Sequence, residues 1–117
     1  MEWNIEYYFD DKGYCPVKGF VDELSPEGQA KYIFITRLLK EYGVHVKEPY
    51  VKPITGHKKL FEIRIKDKSG ISRILYFTHT GRKFVLLHGF TKKTDKTPQR
   101  EIETAEQRMR EYLLTEK

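Results

Sequence analysis

The chain has 117 residues, with 22 lysines and arginines against 17 aspartates and glutamates, which gives a formal net charge of +5. This length favours a single domain, residues 1–117, because a chain of this size supports one continuous apolar core. No apolar run approaches the roughly 18 residues of a membrane span and no signal-peptide pattern is present, which predicts a cytoplasmic protein without a membrane partner. The single cysteine, Cys15, excludes an internal disulfide and a thiolate metal cluster.

The positive charge is concentrated in the middle of the chain. Residues 44–100 carry 14 basic and 4 acidic side chains, whereas residues 1–43 and 101–117 are both net acidic. A basic stretch of this kind favours a polyanionic partner. The alternative interpretation is that exposed lysines protect strand edges from aggregation, and for any single lysine that interpretation is the simpler one.

The first part of the chain predicts a strand and two helices. Apolar and polar residues alternate over 2–9, which predicts a strand with one buried face. A short helix is predicted over 17–24, entered through Pro16. Ser25 as the N-cap and Gly43 beyond the last turn predict a second helix. The stripe predicted to face the sheet comprises Ala30, Ile33, Phe34, Leu38, Leu39 and Tyr42.

The second part predicts a connection, three strands and a final helix. Residues 44–58 show no sustained period and are interpreted as a long connection with a brief extended piece. Alternating apolar residues predict strands joined by tight turns, over 59–66, 71–78 and 83–90. Thr97 as N-cap predicts a helix over about 98–114. The order β-α-α-β-β-β-α indicates the α+β class, with a mixed, mainly antiparallel sheet of about four strands.

Two arginines interrupt the apolar pattern of the predicted strands. Arg64 and Arg73 lie near the middle of neighbouring strands, where an aliphatic residue is expected. Each is explained equally well by a structural ion pair with an acid such as Glu62 or Glu6. Their occurrence on one hairpin favours a functional interpretation, because a guanidinium binds phosphate with two parallel hydrogen bonds.

The predicted strand 83–90 contains a histidine, and three lysines follow this strand. His88 is the polar exception in an apolar strand, and a core histidine bonded to the backbone is the more frequent role for such a residue. Lys92, Lys93 and Lys96 precede a helix N-terminus, which attracts anions, although a solvated charge run is the simpler explanation. The four histidines lack metal-site spacing, and no phosphate loop or serine triad is present. The pattern favours metal-free chemistry on a phosphodiester.

The amino-acid sequence of the second half is similar to that of a known family. Residues 60–64 read LFEIR, residues 72–77 read SRILYF, and residues 85–98 read VLLHGFTKKTDKTP. In these segments the chain resembles the phage-derived Gp49-like, HigB-type branch of the RelE/ParE toxin superfamily. The match extends over about residues 56–112, and the earlier part agrees in length and element order. The resemblance implies a small RelE-like domain.

The resemblance also implies a function and a set of partners. The chain would be a type II toxin and an mRNA interferase, a ribosome-dependent endoribonuclease without cofactor or metal that inhibits translation. Its partners would be the ribosome and mRNA, together with a cognate antitoxin, a helix-turn-helix HigA-like protein from a neighbouring gene. Operator DNA would be bound only through that antitoxin. An acidic stretch of the antitoxin is expected to dock on the basic surface.

The family's basic strand and loop positions correspond here to Arg64, Arg73, Lys92 and Lys93, which are the expected phosphate-binding groups. Glu62 occupies a position that is basic in RelE-like members, and the stacking tyrosine of some relatives has no equivalent after Phe90. His88 and Glu62 are the candidates for proton transfer during attack by a ribose 2′-hydroxyl. Further RNA contacts are expected from Lys59, Lys66 and Lys96.

Three other functions remain open on the sequence. A ParE-like gyrase poison would share the fold and act on a protein target. A non-catalytic RNA-binding module would use the same basic segment and leave RNA intact. A DNA-binding regulator fits less well, since neither long helix is basic enough to be an evident recognition helix.

Overall fold

The fold was obtained as a computed structural model, which describes residues 2–68 and 70–116. The predicted turn at 68–70 includes Ser69, which lies outside the described residues. All predicted helices and strands are present, and the structure adds one strand. The elements are β1 (Asn4–Tyr7), α1 (Pro16–Asp22), α2 (Pro26–Tyr42), β2 (Val51–Pro53), β3 (Leu60–Asp67), β4 (Gly70–His79), β5 (Lys83–Lys92) and α3 (Gln99–Thr115).

The strands form one sheet in the order β1-β5-β4-β3-β2. β1 is parallel to β5 and the other pairs are antiparallel, which confirms the α+β class. The fifth strand, β2, lies within the predicted connection 44–58 and pairs Val51 with Ile63 and Pro53 with Phe61. Proline is tolerated there because β2 is an edge strand and needs no donor on its outer side.

Apolar cores cover both faces of the sheet. The first, between the sheet and the pair α1 and α2, contains Val17, Tyr32, Ile35, Leu39, Ile63, Ile65, Ile74, Tyr76, Phe84 and Leu86. The second, between the sheet and α3, contains Leu60, Leu75, Phe77, Val85, Leu87, Phe90, Ile102 and Ala105. Burial on both faces explains why β4 and β5 are nearly continuous apolar runs. No described helix is both long and apolar enough to cross a membrane.

The predicted inner stripe of α2 is wrong for most of its residues. Leu39 is buried, but Ile33 and Phe34 are each 50% exposed and Tyr42 is 54% exposed. The buried residues of α2 are Gly28, Tyr32, Ile35, Thr36 and Leu39. Both stripes have spacings of three and four, so periodicity alone does not choose between them. The inner one includes polar groups that find partners, since Tyr32 bonds to the hydroxyl of Tyr7 and Thr36 donates to the Tyr32 carbonyl at 3.0 Å.

The predicted ends of α2 are confirmed. The Ser25 side chain accepts a hydrogen bond from the Gly28 amide at 3.0 Å. Gly43 follows the helix with a φ of +60°, and its amide donates to the Leu39 carbonyl. A Cβ at this glycine would overlap the indole ring of Trp3, which itself stacks on Phe84. Glycine is therefore required here by the backbone conformation and by close packing.

We predict that Gly43→Ala destabilises the protein more than Gly56→Ala does. Both glycines have positive φ, but a Cβ at Gly56 would meet open space. The excess cost at Gly43 comes from overpacking against Trp3 and is expected to be about 1–3 kcal/mol. Denaturant unfolding of the two variants and the parent measures it, and equal losses in the two variants would contradict the packing described here.

Candidate functional site

A cleft lies on the α3 side of the sheet, between β2 and β3 and the loop that leads into α3. We call it the loop cleft, and the covering segment, residues 93–98, the 93–98 loop. The cleft has a volume of about 770 Å³, within the range of about 300–1,000 Å³ typical of ligand sites. Its charged and hydroxyl-bearing lining residues are Lys52, Thr55, Glu62, Arg64, Asp95, Lys96 and Thr97.

Glu62 and Arg64 form an ion pair at the floor of the cleft. They are two residues apart on β3, so both side chains extend from the α3 face of the sheet. Glu62 is buried, and its Oε2 accepts a hydrogen bond from Nη1 of Arg64 at 2.5 Å. Its Oε1 accepts from the hydroxyl of Thr97, also at 2.5 Å. The buried carboxylate thus fixes both the arginine and the 93–98 loop.

The other edge of the Arg64 guanidinium is covered by the 93–98 loop. Nη2 lies 3.3 Å from Oδ1 of Asp95, and Nη1 donates to the Asp95 carbonyl at 3.4 Å. The Asp95 side chain is 86% exposed, so its ion pair with Arg64 is a weak surface interaction. An anion that enters the cleft can replace this carboxylate with little loss of stability.

Arg73 lies in a different place from the one its predicted role requires. It pairs with Arg64 in the register of β3 and β4, yet it is fully buried, whereas the sequence predicted a phosphate contact. Its guanidinium donates to the carbonyl of Thr94 and, at 3.4 Å, to that of Lys96, and it lies 5.6 Å from the centre of the Phe90 ring. Arg73 therefore holds the 93–98 loop from below and does not line the cleft.

The surroundings of Arg73 shift the pKa of its guanidinium in both directions, with a net lowering. Burial lowers the pKa of its guanidinium, nearby Glu62 raises it, and Arg64 lowers it. An arginine remains protonated in such surroundings. Its Nε has no hydrogen-bond partner among the described residues. The carboxylate of Glu62 thus compensates two neighbouring cations, which explains why an acid occupies this strand position.

His88 reaches the α3 face through a bulge in β5. The register places Leu75 opposite His88 and Tyr76 opposite Leu86, so Leu87 is an extra residue. His88 Nε2 lies 2.6 Å from Oε1 of Glu101, and Nδ1 lies 3.1 Å from Nη1 of Arg108. Because arginine only donates, Nδ1 is the acceptor of a neutral ring and Nε2 donates to Glu101. Both ring nitrogens are engaged, and His88 does not line the loop cleft.

The environment of His88 favours its neutral form. Burial lowers the pKa of the imidazole below its ordinary value of 6.5, the hydrogen bond to Glu101 raises it, and the charge of Arg108 lowers it. Arg108 also donates to the Leu87 carbonyl at 3.1 Å. This group joins the first turn and the middle of α3 to β5, close to the end of the 93–98 loop.

The predicted lysines divide into two groups. Lys66 and Lys92 both lie opposite Ile71 at the end of the sheet next to Arg64, and the exposed Lys93 and Lys96 follow in the loop. Lys59 precedes β3, and at about 3.3 Å per residue it is roughly 16 Å from Arg64. Four of the five predicted lysines therefore surround one end of the α3 face.

The sequence did not single out Lys52, Asp95 or Thr97 as site residues. Lys52 was assigned to a connection, but in β2 it lies opposite Glu62. Thr97 was predicted to cap the last helix, whereas Pro98 occupies the cap position and the Thr97 hydroxyl bonds to Glu62. The Thr-Pro pair marked the start of α3 to within one residue. The pairing of β2 with β3 reveals the place of Lys52, and the hydrogen bond from the 93–98 loop to Glu62 reveals that of Thr97. The sequence displays neither contact.

The geometry suits an anionic ligand. Arg64 offers a fixed guanidinium, while Lys52 and Lys96 add charges at the rim. Throughout residues 2–68 and 70–116, no three His, Cys, Asp or Glu side chains are grouped so that they could hold a metal ion. The chemistry that these side chains themselves supply is charge stabilisation at a phosphate, with one buried carboxylate beside it.

We predict that Arg73→Lys loosens the 93–98 loop. Lysine keeps the charge but cannot bond to two carbonyls with one planar group, so the loss in the free energy of unfolding should be about 1–3 kcal/mol. Trypsin should cut after Lys93 and Lys96 faster than in the parent, as followed by mass spectrometry. Arg110→Lys on the exposed side of α3 serves as the control, and unchanged cleavage in Arg73→Lys would refute the anchoring role.

We predict that part of the acid sensitivity of the fold comes from His88. Unfolding restores its ordinary pKa, so the unfolded chain binds a proton that the folded one rejects, and stability falls as the pH drops through 6.5. The loss is about 1.4 kcal/mol for each pH unit between the two pKa values. His88→Gln should therefore lose less stability than the parent between pH 7.5 and 5.5. The exposed His45 gives the control, His45→Gln, and identical pH profiles for all three proteins would contradict the prediction.

Comparison with known proteins identifies the family. A family model described as Phage derived protein Gp49-like (DUF891) matches residues 19–110, a range that includes the whole loop cleft. A search of curated proteins finds no match. The family is consistent with the toxin of a toxin–antitoxin system, which implies a cognate antitoxin as partner. Since the matched range covers most of the chain, the protein belongs to the family of phage-derived Gp49-like proteins.

Proposed function

We propose that this protein is the toxin of a type II toxin–antitoxin system and that it cuts messenger RNA on the ribosome, with the RNA backbone in the loop cleft. The observation that carries the proposal is the set of contacts made by the Arg64 guanidinium. One edge of its guanidinium is fixed by buried Glu62, and the other is covered only by the exposed Asp95. Such a group is oriented in advance for a phosphate.

The proposed reaction begins when a phosphate replaces Asp95 at Arg64. The ribose 2′-oxygen attacks the adjacent phosphorus, the bond from phosphorus to the 5′-oxygen breaks, and a 2′,3′-cyclic phosphate and a 5′-hydroxyl result. Arg64 stabilises the charge that builds on the phosphoryl oxygens. Glu62 is the nearest carboxylate to accept the 2′ proton, through the oxygen that Thr97 occupies in the free protein. The departing 5′-oxygen takes a proton from water, while Lys92, Lys93 and Lys96 bind flanking phosphates or stabilise that oxygen as it leaves.

Arg73 and His88 act in this proposal as positioning residues. Arg73 holds the carbonyls of residues 94 and 96 and thereby sets the height of the loop above Arg64. His88, with Glu101 and Arg108, fixes the start of α3. Lys59 and Lys66 lie outside the cleft and would contact the backbone of a longer RNA.

The scarcity of free acid and base groups supports ribosome dependence. Both oxygens of Glu62 and both nitrogens of His88 are occupied by protein partners. A catalytic site of this kind gains most from a substrate that is already held in the reactive geometry, as a messenger codon would be in the A site of the ribosome. We also propose that the cognate antitoxin is a helix-turn-helix, HigA-like protein through which the pair binds operator DNA. The proposed compartment is the cytoplasm, where all these partners occur.

We predict that Arg64→Ala abolishes cutting inside translated codons. Loss of one donor to a developing charge typically slows a reaction by about 10²–10³-fold. The chain is induced alone in bacteria, and messenger 5′ ends are mapped by primer extension for the parent, Arg64→Ala and the control Arg110→Ala, which changes an exposed arginine of α3. The parent and the control should arrest growth and produce cuts.

Two results would contradict the proposal. Cutting by Arg64→Ala at the parental rate would remove the site from the loop cleft. Growth arrest by the parent without any cuts would exclude the nuclease, and a plasmid relaxation assay on the same cells would then distinguish a gyrase poison from a protein that only binds RNA.

A further inference from the structure

The outward side of α2 exposes apolar side chains near the middle of the helix. Ile33 and Phe34 are each 50% exposed, and the Phe34 ring contacts the edge of Tyr50, which is 37% exposed. Ala30 and Arg37 complete this surface, which we call the outer α2 face. Contiguous exposed apolar side chains mark protein interaction sites more often than singly scattered ones do.

Two basic side chains on the exposed part of α2 lack an ion-pair partner among the described residues. Lys31, at the side of the helix, pairs with Glu27 at 3.4 Å, but among the described residues neither Arg37 nor Lys40 has an ion-pair partner. Arg37 lies one helical turn after Ile33 and Phe34, on the same exposed side of the helix. Arginine among apolar and aromatic side chains is the composition typical of an interface hot spot.

We propose that the outer α2 face binds an amphipathic helix of the cognate antitoxin, with an acidic residue of that helix opposite Arg37. This inference rests on the toxin role proposed above. Exposed residues at positions 30, 33, 34 and 37 follow the spacing by which one helix packs along another. An acid in the partner supplies the charge that Arg37 lacks within its own chain.

Two other occupants fit less well. In a symmetric dimer of this chain, an isologous contact centred on Arg37 would bring the two Arg37 side chains together. RNA would gain little from the aliphatic and aromatic centre of the surface. The sheet also separates the outer α2 face from the loop cleft, because α2 packs on one face and the cleft opens on the other. The antitoxin would therefore bind without filling the cleft.

The test uses the product of the gene that adjoins this chain's own, co-expressed with the full chain and then titrated against it. Phe34→Asp and Arg37→Glu should each weaken the complex at least about tenfold. Two controls should stay within about twofold of the parent: Leu114→Asp, which changes an apolar residue that is 83% exposed on α3, and Arg64→Ala in the loop cleft. Thermal melts verify that every variant folds.

The possible outcomes decide between docking surfaces. Parental affinity in Phe34→Asp and Arg37→Glu overturns the proposal. Loss of affinity in Arg64→Ala alone also overturns it and places the antitoxin on the basic surface, as the sequence had suggested. Absence of any complex with the parent overturns it as well. Messenger cutting is scored on the chain without its neighbour, so a failed nuclease assay together with a complex through α2 would refute the nuclease and leave the docking surface intact.

Discussion

The buried guanidinium of Arg73 is the interaction on which the candidate site depends. It lies under the 93–98 loop, bonded to two of its carbonyls and packed on Phe90. Burying a charged group away from water costs free energy of folding unless nearby groups compensate the charge. Here the loop carbonyls and Glu62 compensate it. The same Glu62 orients Arg64 and accepts from Thr97. A single buried network thus sets the position of the loop, the floor of the cleft and the orientation of Arg64.

The acidic last segment of the chain is bonded to the body of the protein through four of its glutamates. The pairs are His88 and Glu101, His57 and Glu106, Tyr8 and Glu111, and His79 and Glu116. These contacts place much of the negative charge of the last segment against the body of the protein.

Periodicity and capping residues predicted the elements and the α+β class, because these signals are local. They failed where the answer depended on three-dimensional pairing. β2 has only three residues, and its pairing with β3, which brings Lys52 opposite Glu62, leaves no pattern in the chain. The stripe of α2 was assigned to the wrong side because the helix is apolar on both sides. Arg73 was correctly singled out as unusual, but its burial follows from a loop that lies twenty residues further along the chain.

The most direct test of this account is a structure of the protein on a ribosome whose A-site codon carries 2′-O-methyl riboses, which block attack by the 2′-oxygen. The account predicts that a messenger phosphate lies within hydrogen-bond distance of the Arg64 guanidinium, that Asp95 has been displaced from it, and that Arg73 still holds the 93–98 loop. A messenger bound elsewhere, with the contact between Arg64 and Asp95 intact, would contradict it.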